Sequence, residues 1–161
     1  MQAVTIDNKA NFFKTLFTGQ VFDDFLFLEG NIITNCTYSF DGRRCKNYYS
    51  TEEYEALDEP DITSWKEIKP FFALAAGPDY PDKMPVELNI TLTLSKKQTE
   101  KLVASSDSDI LPENVEGLHI NVKYKNNILT CITATSLKIF TLDKSLEKYF
   151  DKYTANFLSR F

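Results

Sequence analysis

The chain has 161 residues, 43% hydrophobic and 25% charged, with a mean hydropathy of -0.29, the make-up of one globular domain, which argues against both a disordered and a membrane-inserted chain. Its formal charge of -5 is uneven: residues 1–80 carry 7 basic and 13 acidic side chains, residues 81–161 carry 11 and 10. The first half therefore repels nucleic acid, whose binding draws most of its affinity from phosphate neutralisation.

In chain order, Met1 to Ile6 reads as a short strand. Asp7 or Asn8 then caps a helix that aligns Phe13, Leu16 and Phe17 on one face and ends at Gly19. Asp24–Leu28 and Ile32–Phe40 are β-rich runs around Gly30-Asn31, a pair that predicts a tight hairpin. That register pairs Phe25 with Cys36 and Phe27 with Thr34, and puts Cys36 in the core. Ser50-Thr51-Glu52-Glu53 and Ser64-Trp65-Lys66-Glu67 are capping boxes, so two helices start there. Trp65 is expected to anchor the second in the core. Pro70 is expected to kink or break it before Phe71–Ala76, and Gly77-Pro78 ends that segment.

Val86–Leu94 alternates apolar and polar residues as a half-buried strand does, and Ser95-Lys96-Lys97-Gln98 opens another helix. After the polar stretch Ser105–Glu116, strands Leu118–Tyr124 and Ile128–Phe140 form a second hairpin around Asn126-Asn127. Its two-residue loop puts Leu118, Ile120, Val122 and Tyr124 on the face of Leu129, Cys131, Thr133 and Thr135, leaving His119, Asn121 and Lys123 on the other. Asp143 caps a C-terminal amphipathic helix with Leu146, Tyr149, Phe150, Tyr153, Phe157 and Phe161 on its apolar side. The fold class is α+β, a single domain over residues 1–161: an antiparallel sheet from two hairpins plus the N-terminal strand, packed against helices. The order strand, helix, hairpin occurs twice, in Met1–Phe40 and Val86–Phe140. Such a βαββ pseudo-repeat resembles, in topology only, half of a DNA-clamp domain.

Chemistry is sparse. The longest apolar run, Phe71–Ala76, is far short of the ~18 residues a membrane span needs. Residues 1–14 lack the basic start and apolar core of a leader, so a cytoplasmic chain is expected. There Asn35-Cys36-Thr37 and Asn89-Ile90-Thr91 stay unglycosylated, and Cys36, Cys45 and Cys131 are free thiols. Cys36 and Cys131 should be buried and Cys45 accessible. His119 is the only histidine; on the polar face of a strand, opposite to Cys131, it reads as solvated rather than catalytic. No cysteine or histidine spacing suits zinc, no glycine pattern cradles phosphate, and no G-x-S-x-G nucleophile elbow occurs. Asp107-Ser108-Asp109 with Glu113 lacks the ligand series of a calcium loop. Neither a metal nor a cofactor is expected.

One cluster stands out: Arg43, Arg44 and Lys46 with Tyr48 and Tyr49, just after the Asp41-Gly42 turn. Arginine forks match carboxylate or phosphate and aromatic rings add stacking, so the five residues are a candidate site for a small anion or an acidic protein. Cations beside Cys45 would also activate its thiol. The competing explanation is a hairpin exit whose arginines pair with the six acids of Ser50–Asp61. The leading functional expectation is a non-enzymatic binding or protein-interaction module. A small enzyme using Cys45 or gathered carboxylates is the alternative, and a clamp-like protein the second. Phe22-Asp23-Asp24-Phe25-Leu26, Asp41-Gly42-Arg43, Trp65-Lys66-Glu67-Ile68-Lys69-Pro70 and Thr135–Lys144 give the chain a further character. Through them it resembles a family of uncharacterised bacterial proteins of similar length from clostridia, largely of the gut. The resemblance implies origin and a shared fold, and no activity or site.

Overall fold

The computed structural model describes residues 1–161. Six strands, β1 (Ala3–Thr5), β2 (Leu26–Ile33), β3 (Thr37–Asp41), β4 (Glu87–Thr93), β5 (Val115–Lys125) and β6 (Ile128–Leu137), form one antiparallel sheet in the order β1-β6-β5-β4-β2-β3. Five α-helices join them: α1 (Lys9–Thr18), α2 (Thr51–Glu55), α3 (Trp65–Ala75), α4 (Lys96–Ser105) and α5 (Ser145–Leu158). The fold is α+β with a C-terminal helix, and no helix is long and apolar enough to cross a membrane.

Local chemistry explains most boundaries. Asn8 accepts the Asn11 amide at the start of α1. Ser50, Ser64 and Ser95 each form a complete capping box with the Glu or Gln three residues on. Asn126 and Asn127 both adopt positive φ, at 52° and 62°, as a tight hairpin turn requires. The β5–β6 register is the expected one, with Tyr124 opposite Leu129, Val122 opposite Cys131 and Leu118 opposite Thr135. The N-cap of α5 is Lys144, which makes no side-chain cap bond; Asp143, expected in that role, stands one residue earlier and accepts the Ser145 amide at 2.8 Å.

The first hairpin differs from its expected register. β2 and β3 turn at Thr34–Cys36, with Ile33 opposite Thr37, and Gly30 sits in mid-strand opposite Phe40 and Ile90. Gly30 is there for space: a Cβ on it would lie 2.6 Å from the Asn89 carbonyl oxygen and 3.1 Å from the ring of Phe72. Cys36, expected in the core, is consequently exposed in the turn, and Cys131 alone of the three thiols is buried. Pro70 also fails to break its helix. α3 runs through it to Ala75, because one missing hydrogen bond is outweighed by the complete burial of Trp65 and Phe72 on either side.

α1, α3 and α5 cover one face of the sheet. Phe13 of α1 meets Tyr124 edge-on at 5.3 Å, Phe72 of α3 meets Phe27 at 5.5 Å, and Asp151 of α5 accepts from the Thr133 hydroxyl. Trp65 is wholly buried and donates its indole N–H to the Leu16 carbonyl at 2.8 Å. The opposite face is open and polar: Asn89 bonds Asn31 at 3.2 Å and Thr91 bonds Asn121 at 2.9 Å. Although strand, helix and hairpin recur in order, the pairings do not. β4 lies beside its own hairpin, between β5 and β2, whereas β1 lies at the far edge against β6.

Candidate functional site

The segment after β3 is drawn into the body of the protein. Gly42 donates its amide to the Leu28 carbonyl and accepts from the Thr63 amide, and Arg44 donates its amide to the Asp61 carbonyl. A Cβ at Gly42 would stand 1.8 Å from the Phe27 carbonyl oxygen, so only glycine lets these backbones close. The five residues singled out by composition then separate. Arg44, expected to be exposed, is 8% exposed at its side chain. Its guanidinium grips both carboxylate oxygens of Glu67 at 3.1 and 2.9 Å, the Glu59 carbonyl at 2.8 Å and the Tyr49 hydroxyl at 3.0 Å. Glu67 is also the capping acid of α3, and Arg44 beside it, with the Ser64 and Thr63 hydrogen bonds, holds its carboxyl down at about 2. Arg44 and Tyr49 thus fasten this segment to the start of α3.

Arg43 remains exposed, paired with Asp41 at 3.1 Å. Lys46 lies over the Tyr54 ring at 5.1 Å, and Tyr48 is exposed beside Tyr49. Their partners are not the acids of Ser50–Asp61, since the only ion pairs of this segment are those to Asp41 and Glu67.

Arg43 lines a cleft of about 880 Å³ at one end of the sheet, which brings together segments far apart in sequence. Leu26, Leu94, Thr93 and His119 line it together with Glu59, Asp61 and Ile62, residues of the first turns of α4, and the entry to β5. His119 is half-buried, and its buried Nδ1 has no hydrogen-bond partner. Burial lowers its pKa below the usual histidine value, against the opposing charge of Glu116. Neither Cys45 nor any other cysteine lines this cleft.

Beside the cleft the chain leaves β6 earlier than the expected Phe140 and makes an irregular loop from Lys138, itself a cleft residue, to Lys144. Its backbone is fastened at both ends. The Lys138 amide donates to the Asn114 carbonyl at 2.8 Å. The Asp143 carboxylate accepts from the Ser145 amide, the Ser108 hydroxyl at 3.0 Å and the Asp109 amide. These hydrogen bonds, those from Ser145 foremost, hold the Asp143 carboxyl at about 2. Between the fastenings Ile139, Phe140 and Leu142 stand in solvent, Phe140 90% and Leu142 84% exposed. The sequence signal was present in Ile139-Phe140, where strand alternation fails.

A shallower groove of about 220 Å³ lies between α4 and α5, lined by Leu94, Leu102, Tyr149 and Tyr153. Only part of the apolar side expected of the last helix is covered. Leu146, Phe150 and Leu158 are buried, while Tyr149 and Tyr153 are 37% and 40% exposed.

No curated protein and no solved structure matches the sequence. A family match extends over residues 15–161, and with it both the cleft and the apolar loop fall inside the shared region: the chain belongs to a family of unknown function, DUF5721.

Proposed function

We propose that the chain is a non-enzymatic binding module that engages another protein through the end of the sheet where the cleft and the Lys138–Lys144 loop adjoin. The observation that supports this reading is the presentation of Phe140 and Leu142. A soluble domain that leaves a contiguous apolar cluster in water does so at a cost, and such clusters mark contact surfaces. A loop whose backbone is already fixed loses little conformational entropy on docking, so its side chains act as anchors. Arg43, Lys96 and Lys138 line the cleft beside Glu59, Asp61, Glu100, Glu113 and Glu116, so this end of the sheet offers charges of both signs to the partner, and the three cations would take its acidic side chains. A cytoplasmic setting in a clostridial bacterium belongs to the same proposal.

The test is quantitative affinity capture from extracts of the source cell, comparing the wild type with Phe140→Asp/Leu142→Asp. The double variant should keep its melting temperature, because neither side chain packs in the core, and lose the captured partner. Identical captured proteins from both chains would refute the reading.

A further inference from the structure

We infer that the loop docks on a second copy of this chain, Phe140 and Leu142 of each protomer entering the groove between α4 and α5 of the other. This rests on the interaction-module reading and identifies its partner. The structure carries an apolar projection with no seat and an apolar groove with no occupant. They are neighbours: Asp143, at the end of the loop, is bonded to Ser108 and Asp109, which follow closely on Ser105 of the groove wall. Six residues beyond Asp143 comes Tyr149 of the opposite wall.

The projection does not fill its own groove. Its backbone is held at Lys138 and Asp143, and Phe140 and Leu142 point to solvent. A second molecule has no such restriction. Because projection and groove adjoin on one surface, that surface is self-complementary, and a two-fold axis makes the contact twice in a closed dimer.

Charge favours the same arrangement. Asp107 and Asp109, around the base of the loop, are exposed and make no ion pair. Lys101 on the groove and Lys148 and Lys152, flanking its tyrosines along α5, are likewise exposed and unpaired. Docking brings the acids of one protomer toward the lysines of the other. Lys138 and Lys144 of the loop work against this, but Lys138 faces the cleft rather than the groove and Lys144 is paired with Glu147. Rim charges of this kind set orientation and salt sensitivity more than affinity.

The experiment uses the full chain. Light scattering coupled to gel filtration should give twice the monomer mass for the wild type, and the monomer mass for Phe140→Asp and for Tyr153→Glu at unchanged melting temperature. To locate the contact, Phe140 is replaced by the photoreactive p-benzoylphenylalanine, and light and isotope-labelled chains are mixed and irradiated. Cross-links between light and heavy chains are expected within residues 94–105 and 149–153. A monomeric wild type, a dimer that survives Phe140→Asp, or cross-links confined elsewhere overturns the inference. If the wild type is monomeric yet still captures another protein through Phe140, self-pairing falls and the interaction-module reading stands. If that capture is absent too, both fall.

Discussion

Arg44 shows how position overrides composition. By residue type it is an anion ligand, but its donors are consumed by Glu67, Glu59 and Tyr49. Arg44→Ala would leave those acceptors unpaired and should cost about 1–3 kcal/mol. Arg43→Ala, which breaks an ion pair exposed on both sides, should change stability by less than about 0.5 kcal/mol. Equal urea midpoints for the two variants would contradict the distinction. His119 allows a second test. Burial lowers its folded pKa from an ordinary value of 6.5, so below that pH the unfolded chain binds a proton that the folded chain resists. The contribution of the neutral ring is complete above about pH 6.5 and is lost as the pH falls through the window down to the lowered folded value. Wild type should therefore lose stability more steeply than His119→Gln across that window, and parallel pH profiles would show the ring to be solvated. That His119 lies in a cleft was illegible because the walls come from residues far away in the chain, whereas the polarity of its strand face was plain from alternation.

At the scale of elements, success depended on whether a local signal had a competitor. The β5–β6 hairpin was legible down to its register because Asn126-Asn127 was the only turn signal between two alternating runs. In the first hairpin Gly30-Asn31 imitates a turn, while the true turn, Thr34–Cys36, contains no glycine. The decisive fact, that Gly30 makes room for Phe72 and the β4 backbone, is tertiary. Gly30→Ala is expected to cost about 1–3 kcal/mol through this crowding, and an unchanged denaturation midpoint would return Gly30 to a turn. The loop following β6 was missed for a related reason. Apolar residues at the end of a strand pattern read as more strand until the structure shows that nothing covers them.

For the whole molecule, the twofold recurrence of strand, helix and hairpin was visible in the sequence, but order along the chain does not determine neighbours in a sheet. The difference lies in β1, which pairs with β6 over only Ala3–Thr5. An edge strand this short contributes few hydrogen bonds and little buried area, so it should open locally without global unfolding. Native-state hydrogen exchange should show the amides of Ile6 and Thr133, which bond across this edge, exchanging well before those of the central β4–β5 ladder. Exchange at equal rates would make β1 part of the global cooperative unit. The same pairing has a consequence for biosynthesis. Ala3 finds its partner in Ile132, so a nascent chain must emit almost the whole sheet before its earliest strand has anything to join. Until then β1 and the edge of β5 that β6 will cover have no partner, and contacts of such long sequence separation form slowly. This border is the place where two incompletely folded chains would join by mistake, and a chaperone that shields newly made protein would have most to do there.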